Sequence, residues 1–183
     1  MKKIIIAVFA ATSLLLYSTQ AFALLNFSVG VPLSHTFTGK FSDGTAIESD
    51  GVSGYFIQIG VPMFPGLGMD SHKAQIKCPL CDDRIYVSTT MYNLYYLLPI
   101  PIINLTLGVG TGKSKFESGG GVGDDGTATQ FYTSIGMPII PLFDLHLSYR
   151  LISSKIESTS GSDKGEKSDV GGNIMGLGIG FNF

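Results

Sequence analysis

The sequence predicts an all-β chain, an eight-stranded antiparallel up-and-down transmembrane β-barrel that follows a cleaved signal peptide. Three observations predict it. Large apolar residues recur at every second position over stretches of strand length, as in Met175, Leu177, Ile179 and Phe181. Proline pairs and polar glycine-rich segments alternate between those stretches. The chain is also hydrophobic, with mean hydropathy +0.31 and only 14% charged residues. No mature run is apolar for long enough to span as a helix, and the closed barrel is the other way to satisfy a backbone in lipid.

The N-terminus reads as a secretory signal. Met1, Lys2 and Lys3 form a positive start, Ile4 to Tyr17 is mostly apolar, and Ala21-Phe22-Ala23 supplies a small-x-small cleavage site. Its apolar core of about 13 residues is short of the ~20 that a spanning helix needs. Cleavage after Ala23 divides the chain into a signal peptide, 1–23, and one barrel domain, 24–183. Removing Lys2 and Lys3 from the 12 basic residues leaves 10 against 14 acidic ones, a net charge of −4. With no basic patch to neutralise phosphates, no nucleic-acid partner is expected.

Proline cannot donate to a ladder, so proline pairs in apolar surroundings mark breaks between strands. They fall at Pro62 and Pro65, Pro99 and Pro101, and Pro138 and Pro141, about 38 residues apart, the span of two strands and their connections. Between them lie Gly39 to Gly51, Lys77 to Arg84, Glu117 to Thr127 and Ser158 to Gly172, whose Gly, Asp, Ser and Lys read as solvated loops. Three tight turns and four polar loops imply eight strands, near 25–38, 52–61, 67–76, 84–97, 102–115, 128–137, 143–156 and 172–183.

Strand one sets Leu25, Phe27, Val29, Val31 and Leu33 against Asn26, Ser28, Gly30 and Ser34. Strand three loses its apolar face toward the loop, with Leu67 and Met69 followed by Ser71 and Lys73. Strand four has large residues on both faces; Tyr92, Leu94 and Tyr96 are read as outward because Thr89 and Asn93 then point inward. Strand five opposes Ile103, Leu105, Leu107 and Val109 to Asn104, Thr106, Gly108 and Gly110. Strand seven opposes Leu145, Leu147, Tyr149 and Leu151 to Asp144, His146, Ser148 and Arg150. The last strand opposes its apolar residues to Gly176, Gly178 and Gly180.

Period two alone does not say which face meets lipid, and a soluble barrel with an apolar interior is the structural rival. Charge placement favours apolar side chains outside. The non-apolar face is mainly Gly, Ser, Thr and Asn, while Asp43, Glu48, Asp50, Asp124, Asp125, Asp163 and Lys164 gather in the loops. A Lys or Arg on a lipid-facing strand near the midplane costs about 2–4 kcal/mol, whereas in a loop it costs little.

Two groups of residues could carry chemistry. Cys78-Pro79-Leu80-Cys81 reads as a local disulfide tightening the second loop of an exported protein. A redox role lacks a βαβ setting, and zinc lacks ligands beyond His72, Asp82 and Asp83. Asp70 and His72 share the inner face of strand three, while Asp144, His146 and Arg150 share that of strand seven, across the barrel. Buried charges need partners, so a lumen ion-pair network is expected. No catalytic residue, cofactor or metal is assigned. Ser71 faces away from His72, and Gly119 to Gly123 lacks the helix that a phosphate loop needs.

The signal sequence, eight strands, proline-bearing turns and terminal aromatic Phe183 resemble the small outer-membrane β-barrels to which the OmpA membrane domain and OmpX belong. The resemblance spans the mature chain and is architectural. It implies residence in the outer membrane of a Gram-negative-type bacterium and contact with outer-membrane lipids. It also implies insertion by the β-barrel assembly machinery through a terminal signal of Leu177, Ile179, Phe181 and Phe183. It carries over no activity, since members range from structural proteins and adhesins to lipid-modifying enzymes. A structural or surface-interaction barrel acting on an extracellular ligand through its loops leads. A narrow passive channel and a lipid- or peptide-directed enzyme are the alternatives. A closed barrel has no free edge demanding a partner, so a monomer is expected. Deleting Phe183 should reduce barrel yield in cells far more than yield after refolding in detergent; equal losses would make it a stability residue.

Overall fold

A computed structural model describes residues 25–40, 44–61, 64–78, 84–100, 103–118, 121–140, 142–157 and 167–182. Ala21, Ala23, Cys81 and Phe183 lie outside the described residues. The strands are β1 (Asn26–Phe37), β2 (Ser49–Gly60), β3 (Pro65–Ile76), β4 (Ile85–Ile100), β5 (Ile103–Ser118), β6 (Gly121–Ile140), β7 (Phe143–Glu157), β8 (Lys167–Asp169) and β9 (Gly172–Asn182). From β2 to β8 each strand pairs antiparallel with the one before it, and β9 closes the ring by pairing with both β1 and β7. The short β8 is the outer end of β9. Lys155↔Asp169 on β8 and Ile152↔Gly172 on β9 keep one register, and the Val170 amide donates to the Ser154 carbonyl between them at 3.0 Å. The wall is therefore an eight-strand barrel.

Strands run further into the polar segments than their composition suggests. β5 continues to Ser118 and β6 starts at Gly121, so Glu117 to Thr127 is mostly a hairpin and not a loop. Asp125 and Gly126 pair with Lys115 and Ser114, because a strand beyond the lipid can carry polar side chains outward without cost. Ser158 to Gly172 likewise contains β8, and Gly39 to Gly51 contains the start of β2.

Face assignments along the inner half of each strand follow the expected alternation. Tyr92, Leu94 and Tyr96 are exposed while Thr89 and Asn93 are buried. β1 departs from it. Leu33 and Ser34 are both exposed, and a bulge between Pro32 and Ser34 then turns His35 and Phe37 inward. Ser34 therefore faces out, not in. Pro32 has no N–H for a ladder bond, and one extra residue in the strand accommodates it. The β1–β2 ladder runs only from Asn26↔Gly60 to Gly30↔Phe56; β2 is itself bent, with positive φ at Gly51 and Gly54. Between the two strands the chain makes one isolated bridge, Lys40↔Ala46.

The sidedness reverses along the barrel. At the end bearing Asn26 and Asn182, apolar residues such as Val29, Leu107 and Ile179 face out, and Asn, Ser, Thr and Asp face in. Toward the other end Phe37, Ile47, Ala74, Ile76, Val87, Ile156 and Val170 form an apolar cluster inside, while Lys73, Lys113 and Lys155 stand outside. The inward-apolar arrangement set aside for the whole chain thus holds for its outer third, where water surrounds the wall. Water outside and a dry inside is the ordinary soluble pattern; lipid outside inverts it.

Ile156→Ala should destabilise the barrel by about 2–5 kcal/mol, the cost of truncating a buried aliphatic side chain. Leu177→Ala, which removes a lipid-facing side chain and opens no internal cavity, should cost less. Equilibrium urea unfolding of both variants in the same micelles checks the order.

Candidate functional site

The lumen is filled by side chains in three tiers. At its centre Arg150 of β7 reaches across to Asp70 of β3, with Nε donating to Oδ2 at 3.1 Å; both residues are almost wholly buried. Gln130 of β6 donates to the same Asp70 oxygen at 2.6 Å and to Asn93. Arg150 also donates to Ser148, and its guanidinium lies 3.5 Å from the centroid of the Phe56 ring and 4.9 Å from that of Tyr132. The cation is held by a carboxylate at its edge and by ring faces that complement its charge.

Nearer the chain termini a second tier gathers on Asp144. Its carboxylate accepts from Asn104 at 2.6 Å and from Asn182 at 2.7 Å, and His146 Nε2 stands 3.9 Å away. Asn26 donates to Asn182 at 2.7 Å and so ties β1 to β9 beside the seam that closes the ring. Between the tiers Gln58 receives Ser28 at 2.9 Å and donates to Tyr132 at 2.7 Å. The third tier is the apolar cluster, preceded by His35 and His72, whose ring centroids are 6.2 Å apart.

Glycines on the inner face make these tiers possible. A Cβ on Gly108 would sit 2.2 Å from the Tyr132 ring, and one on Gly180 would sit 2.1 Å from His146 Nε2. On the other side of His146, a Cβ on Gly136 would stand 2.7 Å from its ring. These positions are empty in sequence because a neighbouring strand's large side chain occupies the space.

The expected lumen residues are therefore brought together unequally. Asp70 and Arg150 form the central pair, and Asp144 and His146 belong to the tier below. His72 sits above and bonds to neither. Period two places Gln130 and Tyr132 on one face of β6 with Ala128 and Ser134, and that signal was available in the sequence. His35 was hidden by the bulge. Cys78 is disulfide-bonded. On the outer rim Lys77 Nζ holds Glu48 at 2.9 Å, which keeps that exposed carboxyl below its usual range.

For chemistry the arrangement offers little. Ser148 Oγ receives Arg150 and donates to the Gly176 carbonyl at 3.3 Å, so its proton is engaged by a backbone carbonyl. Among the described residues no group of three or more His, Cys, Asp or Glu side chains is placed to hold a metal. A cavity of about 20 Å³ beside Ser28, Phe56, Gln58, His146, Ser148 and Arg150 has room for a single water.

A closed antiparallel wall, an apolar belt around its inner half and a packed lumen define a small membrane-spanning β-barrel. Side chains such as Leu33, Leu67, Tyr92 and Ile139, each more than half exposed, need hydrocarbon around them. Solved structures of this shape include outer-membrane proteins. OmpW of Escherichia coli superposes with a TM-score of 0.55 at 10% identity, covering 88% of this chain and 98% of that one. Neisserial surface protein A gives 0.53 at 13% identity, covering 87% and 97%. OprG of Pseudomonas aeruginosa gives 0.51 at 12% identity, covering 88% and 96%. The chain thus has the fold of the small eight-stranded outer-membrane barrels. No protein-family model and no curated protein matches it.

Arg150→Met should destabilise the barrel by about 3–5 kcal/mol, because Asp70 is left as an uncompensated buried charge. Adding Asp70→Asn should recover a large part of that loss, as measured by urea unfolding of the two single variants and the double variant. A double variant as weak as Arg150→Met would mean that packing, not charge, sets the cost.

Proposed function

We infer that the protein is a non-enzymatic outer-membrane barrel of surface-interaction type, acting through the outer rim and loops of a rigid wall. The observation that carries this reading is the double closure of the lumen. Arg150, Tyr132, Met91 and Ile174 are all fully buried within it, and the apolar cluster around Ile76 and Ile156 caps it on the side away from the termini. A polar solute entering at that end would meet a dry core, and charge transfer through apolar packing is costly. The strands project past the lipid belt on their own core, so the loops they carry stand on a solid platform. Binding residues are commonly placed on loops held by such scaffolds.

Two experiments test the reading. Folded protein in planar bilayers should give no reproducible conductance, and steady single-channel steps would favour the channel instead. Replacing residues 40–46 and 158–166 with short turns, while keeping buried Ile47 and Val170, should leave heat-modifiable folding intact and abolish adhesion or ligand capture by cells displaying the barrel. A surface phenotype that survives both replacements would sink it.

A further inference from the structure

The chain has three histidines, and two of them meet inside the barrel. His35 of β1 and His72 of β3 stand on either side of β2, both almost wholly buried, with ring centroids 6.2 Å apart. Nδ1 of each ring is buried and has no hydrogen-bond partner among the described residues. Nε2 of His35 lies against β9, where a Cβ on Gly172 would stand 2.9 Å from it, so Nδ1 is on the side of the ring away from that wall. The surroundings are dry. Phe37 packs edge-on to His35 with centroids 4.3 Å apart, and it belongs to the apolar cluster that caps the lumen. Two unpartnered ring nitrogens in one buried pair are costly to the fold unless something binds between them.

We propose that His35 and His72 are the two ligands of a buried site for a soft monovalent cation of the copper(I) class, held in near-linear coordination between their Nδ1 atoms. The site is independent of any role of the loops. Spacing decides the geometry. With bonds of about 2.0 Å to each nitrogen, a linear site sets two imidazole rings roughly 6 Å apart centre to centre, whereas a tetrahedral one draws them in to roughly 5 Å. The observed 6.2 Å matches the linear arrangement, which needs no third ligand. Charge decides the valence. Both donors are neutral imidazoles, and Asp70, two residues from His72 on the same face, already has its charge matched by Arg150. Desolvating an ion costs energy that rises with the square of its charge, so a dry site without a free carboxylate favours a monovalent ion over a divalent one. Met91, opposite Asp70 on β4 and so diagonal to His72, is fully buried and adds a soft thioether to the same inner face. A way in exists at the seam. The β1–β2 ladder ends at Gly30↔Phe56, short of His35, so no ladder pair between those strands has to break for an ion to reach the rings.

Equilibrium dialysis of the full mature barrel, folded in micelles in a nitrate buffer free of chloride and thiols, tests the site with Ag(I) as a redox-stable probe. The wild-type protein and the H146Q variant should each retain one ion per barrel, and H35Q/H72Q should retain none. Cu(I) kept reduced with ascorbate should displace the silver; its failure to do so overturns the copper assignment. Zn(II) at the same concentration should not be retained, and retention that disappears in H35Q/H72Q would mean a tetrahedral site and overturn the linear one. The C78A/C81A variant should keep its ion, since a loss there would place the silver on loop sulfur instead. Retention that survives in H35Q/H72Q overturns the proposal outright. Should that variant give no compact band on SDS gels, histidine-ring NMR of the wild-type barrel decides: Ag(I) should shift two of the three imidazole spin systems and leave in place the one that is missing from H146Q. A spectrum in which none of them moves, or all three move alike, refutes the site.

Discussion

Every backbone amide that lies in hydrocarbon must find its partner within the protein, and the rest of this structure follows from that requirement. It forces the strands into a ring, with β9 returning to pair with β1 along the whole of its length. A ring of eight strands has a fixed bore, barely wider than the side chains that point into it. The lumen therefore cannot be left as spare room. It is filled to the point where Gly108, Gly136 and Gly180 have to be bare so that Tyr132 and His146 can fit.

Filling a narrow bore with the right chemistry is harder than filling a soluble core, because the outer face has already claimed the apolar residues. Polar groups inside must then satisfy one another. Arg150 and Asp70 form a pair that would be unremarkable at a surface, but here each is the other's reason for being buried, with Gln130 and Asn93 completing the set. A buried pair of this kind contributes little net stability compared with apolar packing, yet losing one member is costly. It spans the bore between β3 and β7, which the order of the strands places on opposite sides of the ring.

The reversal of sidedness separates the chain's two environments. Where lipid is outside, Leu, Val and Tyr point out and the lumen is polar. Where water is outside, lysines and threonines point out, and Phe37, Ile76, Val87 and Ile156 form a dry core. The bulge at Pro32 accomplishes that switch within one strand, by inserting a residue that moves Phe37 to the inside. In strands such as β3 and β7 no bulge is needed, because the sequence itself exchanges apolar and polar positions at about the same height: Met69 gives way to Ala74, and Leu151 to Ile152 and Ile156.

The sequence by itself determined the strand count, the turns, the order of neighbours and the face of nearly every residue in the lipid belt, because these depend on local period and on where proline interrupts it. It also placed Asp70 and Arg150 on inner faces, on opposite sides of an eight-membered ring. Only the tertiary structure decided which inward groups meet. Gln130 joins Asp70, His72 does not, and His146 lies with Asp144, since height inside a tilted barrel depends on register summed over several strands. The extent of the hairpins was likewise decided in three dimensions. Polar composition at Glu117 to Thr127 marks exposure to water, and both a loop and a strand raised above the membrane meet that condition; only pairing across the hairpin distinguishes them.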